Sequence, residues 1–479
     1  MDSIIGGNPS QASPASDYDL SDLLADHRTP RARGIPREPA TALTVDRDSN
    51  GNVKKTPHNA ATILVQHTKM RGVFAFDEFH DRVRIVRRPE GRHFTGKHWE
   101  GGVLSDAHSD DVRMWFSASP VFNDGIGTDF PADMVDSAIK FAARRNRVHP
   151  IRDWLESLPE WDGEICRTEG LFVDYLGCPN TPYHREAARL WLIAAVARVY
   201  EPGHKFDFMP IIEGAQGARK STFVKTLGGE WFGAPTIDWS NSQKMIEQTE
   251  GYWIIEVGEL ATLNRGEAND VKECIVKTED RARMAYARNP VSRRRQFVFM
   301  GTTNDEQYLR DPTGNRRYWP IKSTATQAQP IDTDALESAI PALWAEALFL
   351  YRWMREERPN GDLDLSLSSE AEMEARALQG SRKAETAEDV LAGQIEAWLA
   401  RPIGAEFDDI DRDVPKRYRS ATCTAQIWTE MLDGRGAVPH SEAMKIGKAL
   451  ALIGWKRSNG SSEHRELKSY GRCVVYSRV

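Results

Sequence analysis

Lys220 and Ser221 stand side by side in the middle of a glycine-bearing stretch, EGAQGARKSTFVKTLGG (213–229). An ammonium and a hydroxyl placed there suit a polyphosphate. The start of a helix presents unpaired backbone N–H groups and a partial positive charge. A lysine at this position reaches β- and γ-phosphate oxygens, and the hydroxyl holds Mg²⁺. Gly214 occupies the first glycine position of the Gly-x4-Gly-Lys-Ser/Thr pattern, but Arg219 stands at the second. Gly214 and Gly217 let the backbone curl close to the phosphates. The expected cradle for a polyphosphate and Mg²⁺ is therefore Gly214, Ala215, Gln216, Gly217, Ala218, Arg219, Lys220, Ser221 and Thr222. The competing interpretation is a plain strand–turn–helix with a surface lysine. Pro210 in the preceding strand speaks for it, since proline cannot donate to a sheet ladder.

Three further groups extend the chemistry. The stretch WIIEVGEL puts Glu256 and Glu259 at the end of an apolar run, where carboxylates hold a metal and polarise an attacking water. The metal ligands expected from the chain are Ser221 and Glu256. FVFMGTTN places Asn304 at the tip of another apolar run, where its amide would orient water against a γ-phosphate. DPTGNRRYWPI carries Arg316 and Arg317, which suit delivery of positive charge to a neighbouring copy's nucleotide. Separately, each could be a polar strand exit or a solvated turn. Their order along one chain argues for a nucleotide hydrolase.

These segments, with KTEDRARMAYAR, HPIRDWLESLPEWDGE and WLIAAVARVYEPGHKFDFM, resemble the virulence-associated protein E family, ATPases of phages, prophages and mobile islands. The resemblance covers about residues 140 to 325. The family is similar to superfamily-3 replicative helicases and to the helicase halves of primase–helicases. The resemblance implies an AAA+-like core, ATP with Mg²⁺ as cofactors, ring assembly, with a hexamer expected, and translocation on single-stranded DNA. It makes Lys220 and Ser221 the Walker A pair, Glu256 and Glu259 the Walker B acids without deciding which is catalytic, Asn304 sensor 1, and Arg316 or Arg317 the arginine finger. Arg219 departs from the pattern. No clustered aspartates of a primase site are present in the N-terminal region, so a separate primase or other replication proteins would supply priming.

Superfamily-3 helicases place a DNA-gripping hairpin between the acidic strand and sensor 1. Here that interval reads RARMAYARNPVSRRRQ, six arginines and no acid. MAYARNPVSRRR can form two short strands around Asn289–Pro290, with Arg283, Tyr286 and Arg288 tracking phosphates and stacking on bases. Lys277 and Arg281 are secondary candidates, and Arg293 to Arg295 could serve a subunit interface instead. A solvated edge strand is the alternative. At the C-terminus, TCTAQIWTEML and SEAMKIGKALALIGW read as helices and WKRSNGSSEHRELKSYGRCVVYSRV as a two-stranded wing around Asn459–Gly460. Lys445 and Lys448 lie on the second helix's polar side. From residue 441 onward there are eight Lys or Arg against three acids. A winged helix on duplex origin DNA fits, as does a docking module that never touches DNA.

Positioning these residues needs an α/β sheet with polar strand ends along one edge. The short apolar runs FDFMPIIEG, YWIIEVGEL, RRQFVFMGTTN and GNRRYWPI supply its strands. The 479 residues suggest several domains. The expected division is a loosely ordered tail at 1–55, a small α+β region at 56–130, a helical collar at 131–205, the P-loop AAA+/superfamily-3-like core at 206–330, a helical lid and linker at 331–385, and a winged-helix-like domain at 386–479. In the second region, helices are expected to begin at Ser109 and at Pro131. The net charge of −7 argues against a chain coated in basic groups. The five cysteines lack the close spacing of a disulfide framework or zinc site. No run is long enough to span a bilayer and no signal peptide opens the chain, so a cytoplasmic protein is expected. The expected function is an ATP-dependent DNA helicase of a mobile element, acting as a homo-oligomeric ring. A nucleotide-regulated initiator or loader that does not unwind is the alternative.

Overall fold

A computed structural model describes residues 43–163, 166–258, 265–285, 289–306, 308–309, 315–382, 387–403, 418–458, 467–470 and 474–478. The fold is mixed α/β, with a parallel sheet and many helices. The described residues fall into two compact units. The first ends at Gln379; the second takes 307–313 and everything from Gly380 onward.

The first unit opens with a small layered domain. Helix α1 (Pro57–Gln66) starts where Thr56 accepts a hydrogen bond from the Asn59 N–H and Pro57 presets the first helical turn. Strands β1 (Phe74–Asp77), β2 (Arg82–Ile85), β3 (Gly102–Val103) and β4 (Arg147–Val148) form a sheet in the order β3-β2-β1-β4. Helix α2 (Asp106–Ser117) begins earlier than its acidic run suggests. Ser105 and His108 cap one another's backbone, so the helix starts three residues before Ser109. Helix α3 (Ala132–Arg144) packs Val135, Ile139 and Ala143 into the same core as α1 and β1. It therefore belongs to this domain and not to a collar. Residues 43–55 belong here as well, contrary to their tail-like composition. Arg47 and Val53 form a β-bridge, and the buried Asn59 amide donates to the carbonyls of Asp46 at 2.8 Å and Lys54 at 2.9 Å.

The main sheet joins β5 (Met209–Glu213), β6 (Phe232–Gly233), β7 (Ile254–Val257), β10 (Val298–Thr303) and β11 (Tyr318–Lys322) in the order β11-β5-β10-β7-β6, all parallel. Pro210 is accommodated because β10 pairs with β5 only from Ile211 onward. A two-stranded antiparallel hairpin, β8 (Glu279–Ala282) with β9 (Val291–Arg294), precedes β10. The helices of this region are α4 (Pro150–Ser157), α5 (Arg167–Leu176), α6 (Pro182–Tyr200), α7 (Lys220–Gly228), α8 (Ser242–Thr249), α9 (Arg265–Ile275), α10 (Thr333–Glu357) and α11 (Ser369–Ser381).

Helix α6 is buried on nearly every side, which is why its sequence lacks a polar face. Its Trp191 indole donates to the Phe299 carbonyl, and its Ala195 carbonyl accepts from Trp253. Helices α4, α5, α6 and α10 share one apolar cluster with the sheet, joined by Ala371 and Ala375 of α11. The expected collar and lid are thus parts of the core layer: Trp344 of α10 packs on Trp253 of β7's lead-in with ring centroids 4.3 Å apart.

In the second unit, α12 (Ala387–Leu399) is followed by β12 (Ala421–Cys423), then α13 (Thr424–Gln426), which runs into a π-helical turn over Ile427–Met431. Next come α14 (His440–Leu452), β13 (Trp455–Ser458) and β14 (Val475–Arg478). The strands form an antiparallel sheet in the order β12-β14-β13. Ile395, Ile427, Ile446, Leu450 and Trp455 make its core. Asn459–Gly460 lies outside the described residues. Among the described residues, no helix is long and apolar enough to cross a membrane.

Candidate nucleotide site

Strand β5 delivers the glycine loop and α7 receives it. Gly214 and Gly217 have φ of 157° and 79°, and Arg219, at the N-cap of α7, has φ 65° and ψ 29°. Arg219 thus holds the left-handed conformation that a glycine adopts without cost. Ile331 N–H bonds to the Ala218 carbonyl and helps pin the loop.

The Lys220 ammonium folds back into the loop. It donates to the carbonyls of Gly214 and Ala215 and to Asn304 Oδ1, each at 2.8 Å. Burial pushes this ammonium down from its ordinary range, with the nearby Glu256 charge acting in the opposite direction. Ser221 Oγ donates to Glu256 Oε1 at 2.5 Å, and Thr302 Oγ1 donates to the same oxygen at 2.6 Å. Three neighbouring strands, β5, β7 and β10, therefore converge on one sheet edge. Each contributes through its C-terminal residues or the loop that follows: the glycine loop, Glu256, and Thr302 with Asn304. Thr302 is a member of this cluster that sequence reasoning passed over. The signal was available, as a polar residue in an apolar run two positions before Asn304.

The donor set fits a magnesium nucleotide. Ser221 and Glu256 put two hard oxygens side by side, as Mg²⁺ requires. A Cβ at Gly214 would meet Ser323 at 3.4 Å, and one at Gly217 would meet Gln327 at 3.2 Å, so both positions are tight for any side chain. Ala215, Gln216 and Thr222 are exposed at the mouth of the loop, while Ala218 is buried beneath it. Glu259 lies outside the described residues.

Arg316 and Arg317 are not brought to this cluster. They form a 3-10 turn just before β11, whose first residue pairs with Met209, the first of β5. They lie at the opposite end of the sheet, roughly 13 Å away at the rise of a strand. There they line a cleft of about 330 Å³ with Phe208, Trp319 and Arg376. Within one chain they cannot reach a nucleotide on the Gly214–Ser221 loop.

The arginine-rich interval folds differently from its sequence reading. The first hairpin strand is Glu279–Ala282, and MAYAR is not a strand in its described part. The reason is pairing chemistry: Glu279 and Asp280 stand opposite Arg294 and Arg293, so opposite charges face across the ladder. Arg281, Arg283 and Arg294 are exposed, and Lys277 is exposed at the hairpin's foot. Tyr286 and Arg288 lie outside the described residues. Arg295 is buried and grips Asp280 through two nitrogens at 2.6 and 2.8 Å, so it serves neither a pore nor an interface between copies. Arg293 pairs with Asp81 of the small domain. In the second unit, Lys445 and Lys448 are both exposed on α14, opposite buried Ile446 and Leu450, with Lys445 paired to Glu442 at 2.8 Å.

Replacing Arg219 by glycine is expected to retain the site. An L-residue in the left-handed region costs about 1–2 kcal/mol, and a guanidinium beside a polyphosphate returns part of that. Calorimetric titration with MgATP should show an affinity change of no more than about tenfold, or about 1.4 kcal/mol. A wild type that binds no nucleotide beside a variant that binds well would mark the loop as decayed.

Fold and site together define a parallel α/β protein with a glycine loop, a lysine, a hydroxyl and a carboxylate gathered at one sheet edge. Residues 155–384 match the model of the virulence-associated protein E-like domain. Similar solved structures include one described as the apo structure of the NrS-1 C-terminal region (305-718), 11% identical, TM-score 0.42, covering 89% of this chain and 100% of that one. Another is the A form apo structure of the same region, 12% identical, TM-score 0.45, with the same coverage of both chains. No curated protein matches the chain.

Proposed function

We propose that the chain is an ATP-dependent DNA helicase of a phage or other mobile element, working in replication as a homo-oligomeric ring, a hexamer by analogy with superfamily-3 helicases. The observation that carries the nucleotide part is the convergence of Lys220, Ser221, Glu256, Thr302 and Asn304 beneath one glycine loop. Bound MgATP supplies the phosphoanhydride that is cleaved. Lys220, released from the loop carbonyls, places its charge on the β- and γ-phosphate oxygens. Ser221 and Glu256 hold the cation. Asn304, at hydrogen-bond distance from Lys220, orients the water that attacks. Arg316 and Arg317 sit at the far sheet edge, where they can serve only a nucleotide on another copy, and this favours a ring. The exposed arginines of the β8–β9 hairpin grip single-stranded DNA.

The second unit has the helix–strand–helix–helix–strand–strand order of a winged helix, with a sheet that pairs its first strand with its last. We assign it duplex binding through α14, with Lys445 and Lys448 toward phosphates. The test of the whole reading is ATP hydrolysis with and without single-stranded DNA, for wild type and Lys220→Ala. Hydrolysis without strand separation would leave a nucleotide-regulated loader.

Exposed Arg283 is expected to contribute to DNA stimulation. Arg283→Ala with Arg288→Ala should reduce that stimulation and flatten its dependence on salt, by about one unit of slope for each phosphate that the variant no longer neutralises. An unchanged salt slope would remove the hairpin from the DNA path.

A further inference from the structure

The last turn of α9 touches two things that the proposed function keeps apart: the strand residue that directly follows the arginine turn, and the root of the DNA hairpin. On one side, buried Lys272 sits 5.8 Å from the centre of the Tyr318 ring, and Tyr318 directly follows Arg316 and Arg317. On the other side, the Cys274 carbonyl accepts from Arg295 Nη1 at 2.5 Å, and Cys274 Sγ accepts from Nη2 at 3.2 Å.

Arg295 then reaches forward to β8 through its paired bonds to Asp280. Its own backbone is fixed as well: its N–H donates to the Thr278 carbonyl at 2.9 Å, and its carbonyl accepts from Gly203 N–H at 2.8 Å. The guanidinium is 1% exposed in its side chain, so these bonds act where water does not compete. Burial alone would lower its pKa, but Asp280 and Cys274 outweigh that and hold it above its ordinary range.

A buried ion pair is weak evidence for stability, because an apolar pair of similar volume often serves as well. What an apolar pair cannot do is fix direction. The guanidinium binds a carboxylate on β8 and a carbonyl and thiol on α9 at once, so it ties the hairpin root to the last turn of α9.

We propose that the last turn of α9 relays nucleotide occupancy at the subunit boundary to the DNA hairpin, with Arg295 as the positioning residue that joins them. The path runs from Arg316–Arg317 through Tyr318 and Lys272 to Cys274, then through Arg295 to Asp280. It rests on the reading of the chain as a nucleotide-driven DNA translocase and adds how the two sites communicate. Coupling of this kind is measurable as the factor by which one ligand changes affinity for the other.

The test measures single-stranded DNA affinity by fluorescence anisotropy, with no nucleotide and with the hydrolysis-resistant analogue ATPγS plus Mg²⁺. The proteins are wild type, the double variant Asp280→Leu with Arg295→Met, and Lys272→Met. The double variant removes both buried charges together, which keeps the fold, and thermal melting confirms that. The expected result is a tenfold or larger effect of nucleotide on DNA affinity in wild type, falling to twofold or less in the double variant. Its nucleotide affinity, read separately by calorimetry, should stay within threefold of wild type. Lys272→Met should give an intermediate effect. A double variant that melts normally and retains the wild-type coupling factor overturns the relay and leaves the helicase reading intact. A wild type that binds nucleotide but whose DNA affinity ignores it overturns the relay and the translocase reading together.

Discussion

Alanine at Lys220 is expected to abolish measurable ATP hydrolysis while leaving the fold in place. Among the described residues, the ammonium bonds to two loop carbonyls and Asn304. Removing it takes away the ammonium that lies against the glycine loop. Loss of a single well-placed electrostatic donor costs about 10²–10³-fold in rate, and this group also fixes the substrate. The carbonyls it leaves behind lie at the loop's surface and can turn to water, so the stability loss should stay within about 1–2 kcal/mol. Hydrolysis measured beside a thermal melt checks both halves. A Lys220→Ala protein that melts normally and hydrolyses at the wild-type rate would remove the loop from the reaction.

Arg317→Ala is expected to reduce hydrolysis by about a thousandfold, on the scale of arginines that stabilise a phosphoryl-transfer transition state. The effect should act between copies. The arginine turn and the glycine loop occupy opposite ends of the sheet, so no single chain can hold both at one nucleotide. Mixing Arg317→Ala with Lys220→Ala subunits should therefore restore part of the activity, because some boundaries regain an intact loop beside an intact arginine. Arg316→Ala in the same mixture tells which of the two guanidiniums acts. Light scattering at the assay concentration provides the independent check: a monomer with full activity sinks the ring.

The glycine loop and the helix it opens were legible in the chain because their geometry is local. Gly214, Gly217, Lys220 and Ser221 lie within one loop and one helical turn, and a left-handed position at Arg219 follows from what a glycine does there. The strands bearing Glu256 and Asn304 were legible for a related reason. A strand buried on both faces of a parallel sheet is a short, uniformly apolar run, and its polar end is visible at once. Domain limits were harder. Composition put residues 43–55 in a tail, yet the Asn59 amide holds them to α1, and a hydrogen bond to a backbone carbonyl leaves no trace in composition. The expected collar and lid are likewise one layer with the sheet, since a helix such as α6 shows its burial only once the partners on every side are known.

What the sequence by itself determined was the inventory: a glycine loop followed by Lys-Ser, acids and an amide after apolar strands, paired arginines, and a basic interval ahead of the last of these. Tertiary structure decided the geometry among them. It gave Glu256 its hydrogen bond from Ser221, added Thr302, and set Arg316–Arg317 at the far sheet edge. It also separated six similar arginines into exposed Arg281, Arg283 and Arg294, paired Arg293 and buried Arg295, with Arg288 outside the described residues. Register sets Arg293 opposite Asp280, yet Arg295, just past the end of β9, binds that carboxylate while Arg293 pairs with Asp81 of the small domain, and neighbouring residues encode neither contact.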